Sequence, residues 1–503
     1  MKKLIAASAA VGMLVAGVAV AAPAQAATKS FALGVLQDVN GWNPNNGGTG
    51  NATPLYQAVY DTLFLLDKDA IAHPHIATGY KYDKTFTKLT LTLRTGLTFT
   101  DGAKLDAAAV AANLNNTRAG ACEACGRLSQ IASVKATNAT TLLVTLKAPD
   151  PGLIANLGGP SGMLASPKAI KAGTLTDWPT GSGPYILSKD GTVKGSKYVF
   201  NRNPKYWNKK LYSFDQVSMV IAPQLTAMVN ALASGQIDAG NVSDVNQIPP
   251  LLSRGMQVQQ FATADVQGLY FWDRTGALSK PLGDVRVRQA INYALDRDTI
   301  MTKAYMGLGW ATQQVFARGG QGYMASLDHY YSYDPAKAKA LLSAAGYADG
   351  FTLEIPTCMG GFPKQCAAIV EMLGKVGITV KLLPRPALAQ YLSDLLAGKY
   401  ASCFMPLNAG TPWVTIAQGV DPKGTWNPLH TNDAALNALA KKARTSTGAA
   451  QTKYLQQINT KMVKDAWNAP ISQSLNNFVY SKKLDVTMQA FIALPSLYLI
   501  KAA

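Results

Sequence analysis

The sequence predicts a mixed α/β protein that is large enough for more than one domain. Apolar and polar residues alternate in residues 88–94, 141–146 and 378–382, a pattern typical of half-buried strands. After Asp284, apolar residues recur at helical spacing, as on one face of an amphipathic helix. The 503 residues give room for about three domain-sized units. Since no linker separates strands from helices, we expect lobes built from interleaved segments.

Turn and capping residues place further elements along the chain. Residues 100–102 (TDG) predict a turn, because aspartate and glycine favour turn conformations. Aspartates before apolar runs predict helix starts, and glycines after them predict helix ends. The helices predicted in this way begin after Asp106, cover 225–234 before Gly235, start at Asp334–Pro335 and end at Gly346, and cover 363–376 before Gly377.

The first residues predict export. A basic start at Met1-Lys2-Lys3 precedes an apolar stretch over residues 4–20 and the small residues of 24–26 (AQA), which form a signal peptidase site. We therefore predict a signal peptide over residues 1–26. No cysteine precedes Cys122, so the lipid-attachment site of a bacterial lipoprotein is absent. We expect a periplasmic protein released from the membrane.

Export changes the interpretation of the cysteines. In an oxidising compartment, Cys122 with Cys125 and Cys358 with Cys366 are candidate disulfides, and Cys403 stands apart. A zinc site would need a second C-x-x-C pair of matching spacing, and a thioredoxin-like role would need a compact βαβ frame. Neither occurs, so we predict no metal site and no cofactor.

No catalytic pattern is recognisable in the sequence. Neither a G-x-S-x-G elbow, nor a Walker loop, nor H-E-x-x-H occurs. The four histidines, His73, His75, His329 and His430, are not spaced as metal ligands on one helix face. We therefore predict no catalytic residue and no enzymatic activity.

The formal net charge of +18 invites a nucleic-acid interpretation. The predicted signal peptide removes two lysines and no acid, which leaves 45 basic and 29 acidic residues and a charge of +16. These residues are scattered, without a basic tract or an aromatic-basic motif. We predict no nucleic-acid partner, and the charge favours the anionic envelope or an acidic ligand.

Aromatic and amide residues cluster in three loop-like segments, 42–46, 270–274 and 408–413. Such clusters are consistent with core aromatics beside turns. They are also typical of a cleft in which flat rings and a few polar groups hold a small ligand.

Five segments together resemble one family. Residues 97–107 resemble its F-x-D-G-x-x-x-x-A segment, and residues 181–185 (GSGPY) resemble its G-T-G-P-Y, with Ser182 in place of threonine. The remaining matches, in the same order as in the family, are 202–207 (RNPKYW), 284–297 (DVRVRQA followed by ALDR) and 333–347 (YDPAKA followed by AGY). On these motifs the chain is identified as a member of the extracellular solute-binding proteins of family 5, the peptide and nickel receptors of ABC importers.

The resemblance implies a two-lobed periplasmic binding protein fold (type II-like) with hinge crossover strands and an inserted subdomain. It implies a monomeric receptor that captures an oligopeptide or peptide-like ligand and delivers it to ABC transporter permease subunits. By analogy, the segments are 27–60, 180–268 and 481–503 for lobe I, 61–179 for its inserted subdomain, and 269–480 for lobe II.

The predicted ligand contacts combine aromatic, amide and charged side chains. Peptide-binding relatives commonly carry an aspartate for the peptide's ammonium in the segment that corresponds to residues 398–413, where this chain has no acid. An ammonium buried without a carboxylate is costly, so a free-amine peptide needs an acid from elsewhere, and Asp273 is one candidate. The candidate contacts are Trp42, Asn51, Trp272, Asp273, Arg385, Asn408 and Trp413.

Two alternatives stay open at this point. An exported hydrolase could use the same scaffold, although no nucleophile or metal site supports it. A nickel or haem receptor could use His430 as a ligand.

Overall fold

The computed structural model describes residues 29–48, 51–120, 122–307, 309–356, 363–384 and 388–503. The predicted signal peptide lies outside these residues, as do Cys358 and Arg385. Within them, no helix has both the length and the apolar character that crossing a membrane requires.

Strands and helices alternate along the chain. The strands are β1 (Ser30–Val35), β2 (Phe64–Leu66), β3 (Ala72–Pro74), β4 (Ala77–Tyr82), β5 (Lys88–Leu93), β6 (Ile131–Ala136), β7 (Thr141–Leu146), β8 (Tyr185–Leu187), β9 (Lys197–Arg202), β10 (Gln216–Ile221), β11 (Ala239–Asn241), β12 (Gln257–Phe271), β13 (Trp310–Ala311), β14 (Phe351–Pro356), β15 (Ile378–Leu383), β16 (Ser402–Asn408), β17 (Ala469–Tyr480), β18 (Leu484–Val486) and β19 (Ile500–Ala502). The α-helices are α1 (Thr53–Val59), α2 (Ala107–Ala119), α3 (Glu123–Gly126), α4 (Leu153–Asn156), α5 (Pro167–Ala172), α6 (Leu225–Ser234), α7 (Ile248–Ser253), α8 (Lys280–Gly283), α9 (Val285–Ala294), α10 (Arg297–Ala304), α11 (Pro335–Ala344), α12 (Pro363–Gly374), α13 (Leu388–Leu396), α14 (Pro412–Thr415), α15 (Ala434–Arg444) and α16 (Gly448–Lys464).

The predicted caps are present. The carboxylates of Asp106, Asp284 and Asp334 accept hydrogen bonds from backbone N–H groups in the first turns of α2, α9 and α11. Strands β5, β7 and β15 fall on the three alternating segments. Helix α12 ends two residues earlier than predicted, because the N–H of Val376 bonds to the carbonyl of Leu373 and tightens the last turn.

One large sheet runs through the molecule. Within the described ranges its strand order is β16-β12-β17-β11-β1-β10-β9-β8, with β13 paired to β17. Strand β1 pairs in parallel with β10 and β11, whereas β12 and β17 pair antiparallel with each other. The sheet therefore has a β1-centred half and a β12–β16 half, joined by two long strands.

Strands β12 and β17 carry the chain from one half to the other. Residues 257–262 of β12 pair with 475–480 of β17, and residues 266–269 pair with 469–473. The register shifts between Ala262 and Val266, which leaves residues 263–265 as a bulge. A bulge bends and twists a strand locally, so the crossover bends at this point.

Separate hydrophobic cores lie on either side of this crossover. The core of the first lobe forms on β1 and β10, with Leu33, Val217 and Met219 fully buried. The second lobe places Phe271, the last residue of β12, and the next residue, Trp272, in two different cores, because side chains alternate along an extended chain. Phe271 packs in the core of α9, α11 and α12, whereas Trp272 packs in the core of α15 and α16.

An inserted subdomain has its own sheet and core. Its strand order is β4-β5-β7-β6 in the described residues, and α2 packs against β6 and β7. Leu89 and Leu91 of β5, Leu142 and Val144 of β7, and Val110 of α2 are all buried in this core.

A buried carboxylate joins the inserted subdomain to the first lobe. Asp61 accepts hydrogen bonds from Tyr206 Oη at 2.8 Å and Ser182 Oγ at 3.1 Å, and its Oδ1 lies 2.9 Å from His75 Nε2. All four side chains are buried. Since Ser182 and Tyr206 come from two of the sequence motifs, these motifs act here as scaffold.

Candidate ligand-binding site

Three stacked aromatic rings form a layer under the end of β12. The rings of Tyr270 and Trp272 are 5.7 Å apart and nearly parallel, and the ring of Trp426 stacks 6.3 Å from Trp272. The indole Nε1 of Trp272 donates to Cys403 Sγ on the neighbouring strand β16. Trp272 is 1% exposed, so it supports the site from beneath and has no free face for a ligand.

A small cavity lies beside this layer. Its volume is about 30 Å³, and Trp272, Arg274, Asn408 and Trp426 are among the residues that line it. Such a space holds about one water molecule. A ligand of peptide size therefore does not fit inside this cavity.

Arg274 brings a buried positive charge to this region. Its Nε donates to the carbonyl of Trp467 at 2.8 Å, its Nη2 donates to Asn468 Oδ1, and its guanidinium lies 4.2 Å from the centre of the Trp467 ring. Burial lowers the pKa of Arg274, and the nearby charge of Arg288 lowers it further. The carbonyl of Trp467, the amide of Asn468 and the Trp467 ring therefore offset the desolvation of this buried cation.

The end of β16 presents polar groups beside the crossover. Asn408 is exposed, and its Oδ1 accepts a hydrogen bond from the N–H of Gly410 at 3.1 Å. Asn408 lies directly opposite Asp265 of β12 in the antiparallel register. Directly opposed side chains in such a pair are about 5 Å apart at Cβ, so an amide and a carboxylate lie side by side next to the bulge of β12.

Trp413 lies where the second lobe approaches the inserted subdomain. It is half-buried in the short helix α14, whose cap is Thr411. A Cβ placed on Gly152 of the inserted subdomain would lie 3.6 Å from Trp413 Cδ1. Asp150 lies in the same loop as Gly152. Burial raises the pKa of Asp150, whereas the hydrogen bond from the N–H of Gly152 and the charge of Arg444 act to lower it. This loop and α14 therefore face each other across the two parts of the molecule.

Trp42 does not lie in this region, although the sequence analysis predicted it as a ligand contact. It is 2% exposed in the core of the first lobe, with its ring 5.6 Å from Tyr198 and 5.9 Å from Tyr56. Its carbonyl accepts a hydrogen bond from Tyr60 Oη. Because neighbouring rings enclose the indole, Trp42 packs the core and offers no surface to a ligand.

Asp273 is buried and fully engaged, so it does not supply the charge suggested for it. It is 0% exposed, and its two oxygens accept hydrogen bonds from the backbone N–H groups of residues 275–279, at 2.6–3.3 Å. Burial acts to raise the pKa of Asp273, but these hydrogen bonds outweigh it and hold the pKa below its usual value. Asp273 organises the loop before α8 instead of facing a ligand.

The other predicted contacts are separate from each other. Asn51 is half-buried just before α1, in the first lobe. Asn408 and Trp413 belong to the second lobe, as described above, and Arg385 lies outside the described residues. Of the predicted set, the structure therefore brings only Trp272, Asn408 and Trp413 into one region, with Trp272 beneath its surface.

The cysteines and histidines have separate positions. Cys122 and Cys125 form a disulfide, Cys366 is also disulfide-bonded, and Cys403 is a buried free thiol. Cys358, the partner predicted for Cys366, lies outside the described residues. The ring Nδ1 of His430 lies 2.8 Å from the carbonyl oxygen of Pro422. In the described part of the chain, no three His, Cys, Asp or Glu side chains are grouped to hold a metal ion.

Sequence reasoning missed Asp265. The residue lies in a strand without a recognisable motif, and its position beside Asn408 follows from a strand pairing between distant segments. No local signal in the sequence indicates that pairing.

Two separately cored lobes, joined by crossover strands beside a polar patch, define the architecture of a two-lobed solute-binding protein. Residues 72–416 match the family described as bacterial extracellular solute-binding proteins, family 5. The chain belongs to this family.

One known protein is similar to this chain in sequence, and two solved structures are similar to it in fold. The glutathione-binding protein GsiB of Salmonella paratyphi A is 28% identical over 333 residues, which cover 65% of this chain and 63% of that protein. HbpA2 from Haemophilus parasuis superimposes with a TM-score of 0.83 at 20% identity, over 94% of this chain and 100% of that one. The unliganded open form of MppA, a periplasmic murein tripeptide binding protein, also gives 0.83, at 19% identity, over 95% and 98%.

Proposed function

We propose that this protein is an exported receptor that captures a peptide-like ligand between its two lobes and delivers it to an ABC importer. The observation that carries the proposal is the crossover of β12 and β17, which joins two independently cored lobes and contains a bulge at residues 263–265. Lobes connected in this way can rotate as rigid bodies about a few residues. The ligand then shifts the balance between open and closed forms by its contacts with both lobes.

The proposed division of the chain follows these cores. Lobe I comprises 27–60, 180–268 and 481–503, the inserted subdomain 61–179, and lobe II 269–480. The assignment of the C-terminal segment to lobe I is supported by Leu484 and Leu497, which pack in the core on β1 and β10. Phe478 and Tyr480 of β17 pack in the same core, although the division assigns them to lobe II. The boundary at 268/269 falls within β12, at the lobe II end of the crossover.

A peptide-like ligand fits the groups near the crossover. Asn408 offers a side-chain amide, and Trp413 offers a partly exposed ring. The amide can hydrogen-bond to the backbone of a peptide-like ligand, and the ring can stack on its flat groups. The names of two proteins similar to this chain specify glutathione and a murein tripeptide. We therefore expect a ligand of about this size that carries amide and charged groups.

Export and partners complete the proposal. The Cys122–Cys125 disulfide suits an oxidising compartment, in agreement with the predicted signal peptide. We propose a periplasmic monomer that docks on ABC transporter permease subunits and releases its ligand chemically unchanged.

Native mass spectrometry tests the proposal. The protein is stripped of endogenous ligand in urea, refolded, and incubated with pools of dipeptides to pentapeptides, with glutathione, and with nickel. We expect one intact peptide-like molecule per chain, recovered with unchanged mass. Absence of an adduct with every pool contradicts the receptor, whereas recovery of hydrolysed peptide contradicts the non-enzymatic role.

A further inference from the structure

Asp265 occupies the hinge bulge of β12. It is the last residue of the segment 263–265, which lacks ladder partners on β17. On its other side it begins the pairing with β16, opposite Asn408. The residue thus lies in the crossover strand, shortly before the proposed lobe boundary at 268/269.

The carboxylate of Asp265 has no hydrogen-bond or ion-pair partner within the part of the chain that the structure describes. Among the described residues, no side chain or backbone N–H donates a hydrogen bond to it and no cation pairs with it, whereas its own N–H donates to Thr263 Oγ1 at 3.2 Å. The side chain is half-buried, and this burial raises its pKa. An acid that is partly removed from water without a counter-charge is an unfavourable arrangement for the protein alone.

The other acids near the site are already engaged. Asp273 accepts hydrogen bonds from five consecutive N–H groups. Asp150 accepts one from the N–H of Gly152 at 3.1 Å and interacts with the charge of Arg444. The segment 398–413, which provides Asn408, contains no acid at all. Among these described acids, Asp265 is therefore the one whose carboxylate is not engaged by a hydrogen bond or an ion pair.

We propose that Asp265 recognises a cationic group of the ligand, a primary ammonium or a guanidinium, and makes closure of the lobes depend on that group. The inference rests on the proposed receptor function and specifies its ligand class. Asn408, directly across the strand pair, supplies an amide for the neighbouring part of the same ligand.

The coupling follows from solvation. Closure removes water from groups beside the hinge, so closing over an empty cleft desolvates the unpaired carboxylate further. A cationic ligand group replaces that water with a charge-assisted hydrogen bond. The charged ligand thus favours the closed form, and the empty receptor stays open, because a ligand shifts an equilibrium only by its differential interaction with the two states.

Isothermal titration calorimetry on the stripped protein tests the recognition. The probes are trialanine and S-methylglutathione, each with a free amino group and N-acetylated. The variant is D265N, and the matched control is D298N, at an exposed aspartate of α10. We expect D265N to weaken binding of the free-amine probes at least tenfold and D298N to bind them as the unaltered protein does.

The outcomes separate this inference from the receptor function. Equal affinity of D265N and unaltered protein for the free-amine probes overturns the inference, as does binding restricted to pool members without a cationic group. The receptor function stands in both cases. Failure of the unaltered protein to bind any pool member overturns both proposals.

Small-angle X-ray scattering tests the coupling without a ligand. Since D265N removes the charge that opposes closure, we expect a smaller radius of gyration for unliganded D265N than for the unaltered protein and for D298N. An unchanged radius overturns the coupling to closure.

Discussion

The indole Nε1 of Trp272, directly after the end of β12, donates a hydrogen bond to Cys403 Sγ on β16 at a distance of 3.2 Å. Both residues are buried, and they fix the aromatic layer beneath the candidate site. The thiol therefore belongs to the packing of the second lobe.

Cys403 should be unreactive in the native protein. Burial raises the pKa of its thiol to about 12, although hydrogen bonds from Trp272 and Tyr391 act in the opposite direction. At pH 8 the thiol therefore stays protonated, whereas the thiolate is the reactive form. We expect almost no reaction with Ellman's reagent until urea is added. The variant C403S identifies the signal, and a native rate equal to the rate in urea contradicts the burial of this thiol.

Gly183 should not tolerate a side chain. A Cβ at this position would lie 2.4 Å from the carbonyl carbon of Val59 and 2.6 Å from the backbone N of Tyr60, and backbone atoms cannot yield as a flexible side chain can. We expect G183A to lower the free energy of unfolding by about 3 kcal/mol, measured by urea denaturation. Gly79 is the control, because a Cβ there meets nothing within 4 Å. Equal midpoints for G183A and G79A contradict the close approach.

Asp273 should stabilise the protein in a pH-dependent way. Its folded-state pKa is lowered, so its contribution is present above the unfolded value of about 3.9 and is lost as the pH falls through the folded value. We expect D273N to lower the free energy of unfolding by about 3 kcal/mol at pH 7. The side-chain NH2 group of asparagine would face the backbone N–H donors of the loop, and two donors cannot hydrogen-bond to each other.

Thermal unfolding at pH 7 and at pH 3 checks this prediction. The difference in Tm between D273N and the unaltered protein should shrink at pH 3, whereas D298N should resemble the unaltered protein at both values. A difference that stays constant between the two pH values contradicts the role of the carboxylate.

Substitutions of Trp42 and of Trp413 should have different effects on stability and on ligand affinity. We expect W42F to lower stability by about 1–3 kcal/mol through lost packing and to leave ligand affinity unchanged. We expect W413A to weaken binding of the ligand found by native mass spectrometry about tenfold, which corresponds to about 1.4 kcal/mol. A loss of affinity in W42F without a loss in W413A contradicts the positions assigned to the two indoles.

Features of the fold that depend on residues close together in the sequence could be predicted from it. Alternation in β5 and β7 and the caps of α9 and α11 depend on residues a few positions apart, so the pattern predicts them. The burial of Trp42 depends on rings from α1 and β9, which only the folded chain brings together. The same holds for Asp265, whose place beside Asn408 depends on the register of β12 with β16.

Asp273 illustrates the second limit of sequence reasoning. An aspartate at the end of a strand is compatible with a free ligand-binding charge and with a carboxylate that organises the following loop. The choice depends on where the five N–H groups of residues 275–279 point. This direction is set by the path of the loop into α8, and side-chain type alone does not encode it.

Small-angle X-ray scattering during a ligand titration tests the central claim most directly, namely that the ligand is captured by closure of two lobes about β12 and β17. The stripped protein is titrated with the molecule that binds in native mass spectrometry. The account predicts that the radius of gyration falls and levels off at one ligand per chain. Saturation by the ligand with an unchanged radius of gyration would contradict it.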